Sequence, residues 1–333
     1  MKSSILLRPA LASAALLTLA LFSTLWFAAA DAADSQSVSG IVADIEDDLA
    51  DDFSFDLDEG EMDSEDKDLD DLGEEPPLLE EGQDEDDAST IPDQMRALFA
   101  RADAGDAEAQ NLIGVCYFYG KRVEKNIKEA VIWFSRSAAL GNPKGQTNLA
   151  LCYLDGSGGK RNEIEARRLL RLAANQGYAN AQYELGSLLE SYETKTTDKE
   201  AAAWLRRAAE QNHPSAQYRL GVCYTTGKGV IKNEETAFGW FRKAADQGQT
   251  DAELAMGLCY TFGQGVKVNG AKAVRWLYKA ARKGNAEAQF YLGMHYIHGD
   301  GVKRSIDEAV RWFRKAAAQG HDGADEELRR LGK

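Results

Sequence analysis

From residue 107 to residue 320 the apolar positions follow two helical rhythms that alternate in a fixed order. In one stretch Ala216, Leu220 and Tyr224 fall at i, i+4 and i+8, one stripe of a helix. In the next, Ala237, Trp240, Phe241, Ala244 and Ala245 fall at i, i+3, i+4, i+7 and i+8, the apolar stripe of an amphipathic helix. Gly227 and Gly229 separate the two stretches, and Gly248 closes the second. The pair predicts a helix-turn-helix unit. Small residues on both stripes allow close approach, with bulky Tyr and Trp filling the gaps between helices.

The unit recurs. Gly114, Ala150, Gly186, Gly221, Gly257 and Gly293 are spaced 36, 36, 35, 36 and 36 residues apart, and Trp133, Trp204, Trp240, Trp276 and Trp312 keep the same time. A period of this length marks a helical repeat array whose units stack to bury their faces and need polar caps at the ends. The expected fold is all-α: a right-handed α/α solenoid superhelix of about six repeats. They fall at 107–142, 143–178, 179–213, 214–249, 250–285 and 286–320, between a capping helix at 93–106 and a C-terminal cap at 321–333. The five tryptophans are expected in the core.

The pattern A-x-x-x-L-G-x-x-Y-x-x-G-x-G-V followed by A-x-x-W-[FL]-x-x-A-A-x-x-G resembles the Sel-1-like repeat, a relative of the tetratricopeptide repeat. The resemblance spans roughly residues 93 to 333. The second unit departs from it with Ala150 and Leu169, and the third replaces the Gly-x-Gly turn with Ser191 to Lys195. The resemblance implies an adaptor or scaffold, often in exported bacterial proteins or in the secretory pathway. Some such relatives are described as β-lactamases or penicillin binders, so the alternative is a cell-envelope hydrolase or a glycan- or peptidoglycan-binding module. Acylases of that kind use Ser-x-x-Lys. Here Ser135, Ser187, Ser215 and Ser305 are followed at the third position by Ala138, Glu190, Tyr218 and Glu308. The chain reads as non-catalytic, with no cofactor.

Composition divides the chain. Lys2 and Arg8 precede an uncharged run from Pro9 to Ala30. This predicts a signal peptide over 1–32, cleaved after Ala30 or Ala32, or an N-terminal membrane anchor through residues 9–30. Either puts the remainder outside the cytoplasm, in the periplasm or secreted, or in the secretory lumen of a eukaryotic cell. Residues 33–92 are acidic: 31–90 hold 26 Asp/Glu against Lys67 alone, a composition that predicts disorder. Without these acids and without Lys2, Arg8 and Lys67, residues 91–333 keep 36 basic and 28 acidic side chains. The array is therefore basic although the whole chain is at −15. The acidic segment also carries Ile41, Val42, Ile45, Leu49, Phe53, Phe55 and Leu57, a docking-type alternation or a solvating spacer. Asp66 to Asp70 starts like a calcium loop, but Asp71 and Pro77 stand where glycine and a bidentate Glu are needed.

Cys116, Cys152, Cys223 and Cys259 share one register slot, about a helix-packing distance apart, which is too far for disulfides. They are expected as buried free thiols. His295 occupies the same slot in the last repeat, and no metal site is expected there.

Function is expected where slots vary while the core does not. Two positions before the Gly/Ala marker stand Leu112, Asn148, Glu184, Arg219, Ala255 and Tyr291. Five after it stand Tyr119, Asp155, Ser191, Thr226, Phe262 and His298. Leu112, Tyr119, Arg219, Phe262, Tyr291 and His298 are the candidate partner-binding residues. The expected partner is a protein or peptide, not nucleic acid, and the expected state is a monomer.

Overall fold

The computed structural model describes residues 93–192 and 194–333; the leader and the acidic segment lie outside the described residues. Fourteen helices are described, and no strand occurs among them. They are α1 (Asp93–Asp103), α2 (Ala107–Tyr119), α3 (Ile127–Ala139), α4 (Pro143–Asp155), α5 (Glu163–Asn175), α6 (Ala179–Glu190) and α7 (Lys195–Glu210). Then follow α8 (Pro214–Thr226), α9 (Glu234–Asp246), α10 (Thr250–Phe262), α11 (Gly270–Arg282), α12 (Ala286–His298), α13 (Ile306–Ala317) and α14 (Asp322–Arg330). Helices α2 to α13 pair as an A helix followed by a B helix. Each helix packs on its chain neighbours, and the most extensive further contacts (α2 with α4, α4 with α6, α10 with α12) are between A helices. The A helices therefore line the inner side of the solenoid and the B helices its outer side.

The marker glycine has a steric cause. A Cβ at Gly221 would lie 2.5 Å from Phe241 Cε1, and one at Gly257 would lie 2.6 Å from Leu277 Cγ. The A helix can approach its B helix only because no side chain intervenes, and the residue after each tryptophan fills the contact. The two turn glycines do different jobs. Gly227 caps α8 at φ 79° and donates its N–H to Cys223 O at 2.8 Å. Gly265 lies against the Glu234 carbonyl at the start of α9, where any side chain would collide with the preceding repeat. The chain then re-enters a helix through a capping Asn, as at Asn233, whose side chain accepts Thr236 N–H at 2.9 Å. In the third unit, which lacks these glycines, Ser191 ends α6 and Thr194 starts a longer α7 with a capping box.

A buried polar ladder crosses the joints. Gln182 Nε2 donates to Ala174 O of the preceding repeat at 3.1 Å, while its Oε1 accepts from Gln211 at 2.8 Å. Gln217 repeats this with Ala209 O and Gln247, and Gln289 with Ala281 O and Gln319. The fifth repeat substitutes a charged pair: Lys283 Nζ reaches Glu253 Oε1 at 2.8 Å, with the Glu253 side chain only 4% exposed. Each glutamine rung satisfies a helix-terminal carbonyl and so fixes the registry of neighbouring repeats.

The four cysteines are unpaired, and Cys152, Cys223 and Cys259 are buried. Burial pushes the Cys152 and Cys259 thiols up to about 12, so they are protonated apolar filler. His295 in their slot is buried, with Nδ1 2.8 Å from Asp300 O and Nε2 3.0 Å from Thr261 Oγ1.

Candidate functional site

The candidate residues do not form one patch. Leu112 is buried at 8% exposure and cannot meet a partner in this packing. Its slot lies between successive A helices: in the next repeat Asn148 donates to Asn111 Oδ1 at 2.8 Å, also buried, and Ala255 is fully buried. Arg219 is half-buried and committed within the molecule. Its Nη1 donates to Glu190 Oε2 at 2.6 Å, and its guanidinium lies 6.0 Å from the Tyr183 ring centroid. Burial opposes the Arg219 charge, but Tyr183 and Glu190 outweigh it and raise the pKa. Arg219, Glu190 and Cys223, whose Sγ donates to Glu190 Oε1 at 3.3 Å, tie α8 to α6.

Three of the others remain on the inner side. Phe262 at the end of α10 and Tyr291 of α12 meet edge to face with centroids 6.0 Å apart, both half-buried against the core. Phe290 continues the cluster at 5.4 Å from Tyr291 and stacks on His321 at 4.6 Å. His298 ends α12 and is exposed. Tyr119 is half-buried at the far end of the array, with its hydroxyl pushed up to about 12 by burial.

Charge separates the two sides. The A helices contain Lys144 and Arg219 as their only Lys or Arg, against Glu108, Asp155, Glu184, Glu190, Asp251, Glu253 and Glu287. The B helices other than α9 are net basic. Arg136, Arg207, Lys243, Lys279 and Lys315, each three residues after a tryptophan, lie over the rings of Trp133, Trp204, Trp240, Trp276 and Trp312 at 4.2–4.9 Å from the centroids. Not every tryptophan is core as the period predicts: Trp133, Trp204 and Trp312 are buried, but Trp240 and Trp276 are half-exposed. Trp276 borders a groove of about 500 Å³ between α9, α10 and α11, lined by Arg242, Asp246, Met256, Tyr260, Lys272, Arg275, Trp276 and Lys279. The signal for it lay in the sequence of α11, which has four basic residues and no acid, but only packing shows where that helix faces.

Among the described residues no cluster of His, Cys, Asp or Glu could hold a metal, and no helix is long and apolar enough to cross a membrane.

The Sel1 repeat family matches residues 107–142, 143–178, 179–213, 214–249, 250–285 and 286–321. Similar solved structures include two Sel1 or SLR repeat proteins. One is a protective antigen present in uropathogenic Escherichia coli strains and displaying an SLR fold, with 32% identity over 70% of this chain and a TM-score of 0.65. The match covers 50% of that antigen's length. The other is a Sel1 repeat protein from Oxalobacter formigenes, with 30% identity over 67% of this chain and 96% of its own, and a TM-score of 0.59. The six tandem matches, on a solenoid whose helices, turns and joints recur in register, show that this chain belongs to the Sel1 repeat family.

Proposed function

We propose that this chain is a non-catalytic scaffold that works outside the cytoplasm, in the periplasm or secreted. It holds a protein or peptide partner on the inner face of its solenoid and acts as a monomer. The observation that carries this reading is the Phe262–Tyr291 pair beside exposed His298, on A helices that are otherwise acidic. Aromatic anchors half-set into a rigid surface are the usual centres of binding energy. Arrays of stacked helix pairs work by presenting such surfaces. The leader pattern supports export, and the acidic segment 33–92, opposite in net charge to the array, is read as modulating access to it.

The test is cross-linking capture from cell envelopes with the full chain, comparing native protein with Tyr291→Ala, Phe262→Ala and His298→Glu. Loss of an anchor is expected to weaken capture of a specific partner about 30-fold. Because Phe262 and Tyr291 also pack against the core, helicity is checked for both. His298→Glu, exposed and at a helix end, tests the face without that complication. Undiminished capture by all three variants would rule out this face.

A further inference from the structure

The outermost side of each B helix is a stripe of four positions about one turn apart. In the first repeat it is 128, 132, 136 and 140, and in the second 164, 168, 172 and 176. The same steps of four run through 199–211, 235–247, 271–283 and 307–319, and every one of these positions is exposed. Together they carry eleven Lys or Arg against two carboxylates, Glu235 and Asp307. In the first two repeats the stripe also carries aliphatic side chains: Ile132 is 44% exposed, Leu140 57%, Ile164 75% and Leu172 41%. These are four of the six large hydrophobic residues exposed among the described residues, and the other two, Ile231 and Val268, lie in turns. Single surface aliphatics are ordinary, but four on successive B helices form a patch.

Each of the four breaks its column of the array. Leu172 stands where the other repeats place a cation over the tryptophan, with Leu169 in the tryptophan slot. Leu140 stands where Gln176, Gln211, Gln247 and Gln319 form ladder rungs, and it has no amide to form one. Cations alternate with them: Arg136 lies between Ile132 and Leu140, and Arg168, paired with Glu165 at 2.6 Å, lies between Ile164 and Leu172. The patch offers Ile and Leu in place of the exposed Trp and Tyr on which protein interfaces concentrate their energy, and Trp133 is buried. It lies on the outer side of the solenoid, and its cations continue along every later B helix. A fluid sheet of anionic headgroups adapts to cations spread in this way, and its acyl boundary takes up short aliphatic side chains.

We propose that the outer stripe of α3 and α5 binds the surface of an anionic phospholipid bilayer. Ile132, Leu140, Ile164 and Leu172 enter the headgroup boundary, while Lys128, Arg136 and the cations of the following repeats hold anionic headgroups. The contact is weak and reversible: four short side chains bury little area, and each cation close to the surface raises partition about fivefold. The inference goes beyond the inner-face scaffold and does not rest on it, because the bilayer meets B helices only.

The test attaches the environment-sensitive fluorophore NBD to the full chain through Leu172→Cys and, in a second protein, through His298→Cys on the inner side. Native chain treated in the same way is the blank. Vesicles of phosphatidylglycerol mixed with phosphatidylcholine carry a nitroxide-labelled lipid as quencher. The probe at 172 is expected to shift to the blue and be quenched on these vesicles but not on phosphatidylcholine alone, and high salt is expected to reverse both changes. The probe at 298 is expected to stay unchanged. Because the readout is local to the stripe, attachment through residues 9–30 alone would not produce it. Ile132→Ser with Ile164→Ser leaves every charge in place and is expected to raise the lipid concentration for half-quenching at 172 about tenfold, with helicity unchanged. No quenching at 172, equal quenching on neutral vesicles, equal quenching at 172 and 298, or a midpoint indifferent to loss of the two isoleucines would overturn the proposal. So would soluble polyglutamate that shifts the 172 probe as far as vesicles do, which would assign the stripe to an acidic protein.

Discussion

The contact between marker glycine and B-helix side chain can be tested by a double-mutant cycle at Gly221 and Phe241. Phe241 is buried, packed beside Ala237, Ala244 and Met256 and tilted against Tyr218 with centroids 5.8 Å apart. A methyl group at position 221 would sit 2.5 Å and 2.6 Å from two ring carbons and 3.1 Å from a third. Carbon atoms rest at about 3.5–4.0 Å, so the ring must retreat by about 1 Å into a packed core. Overpacking of that size costs about 1–3 kcal/mol. The gain in helix propensity from Gly to Ala offsets about 1 kcal/mol of it. Gly221→Ala is therefore expected to destabilise by up to about 2 kcal/mol, against the ordinary trend for a helix interior. Phe241→Leu opens space and is expected to cost a similar amount. Together the new methyl enters the vacated volume, and the double variant is expected to be at least about 1 kcal/mol more stable than additivity predicts. The second repeat already carries Ala150 and Leu170 at this register. Urea unfolding followed by circular dichroism gives the four stabilities from midpoint and slope. Additivity within about 0.3 kcal/mol, or a stabilising Gly221→Ala, would refute the steric account.

Two further outcomes follow from the same register. Lys283→Met strands the buried Glu253 carboxylate and is expected to cost about 3 kcal/mol, whereas Glu253→Gln with Lys283→Gln rebuilds the glutamine rung and stays within about 1 kcal/mol of native; equal losses in thermal unfolding would show that the ladder is not interchangeable. His213 caps α8 through Nδ1, which accepts Ala216 N–H at 3.2 Å, and burial against Tyr183 lowers its pKa from 6.5 to about 4. The unfolded chain then binds the proton first, so the stabilisation is complete above about pH 6.5 and is lost as pH falls from there towards 4, by about 3 kcal/mol. His213→Asn, matching Asn142 and Asn285 at the same cap, is expected to flatten that acid limb in stability measured against pH; an unchanged limb would place its cause elsewhere.

The helix pairs, their turns and the free-thiol slot were legible because each rests on local chemistry that repeats. A stripe at helical spacing, a glycine at a left-handed cap and an Asn before a B helix act within a few residues of themselves. The glutamine ladder was not read from the sequence: Gln110, Gln146, Gln182, Gln217 and Gln289 do stand four positions before the marker, but their hydrogen bonds join separate repeats and only the packing shows them. The candidate face was only partly legible. Leu112 and Ala255 vary between repeats as binding positions do, yet both are buried where successive A helices touch. Variation there reflects how each pair of helices packs, and sequence variation alone does not distinguish a side chain facing solvent from one facing a neighbour that varies with it.

Period and charge thus determined by themselves that this is a stack of helix pairs, how many there are, and that a basic array accompanies an acidic segment. They could do so because helix formation, capping and charge composition are properties of contiguous residues. Tertiary structure alone decided which side chains each face presents. It buried Leu112, bound Arg219 to Glu190, left Trp276 half-open under Lys279 and gathered the cations of α9 and α11 around one groove. Those outcomes depend on how repeats are rotated against one another, and that rotation is set by contacts between residues about 30 or more positions apart, such as Asn148 with Asn111 and Arg219 with Glu190.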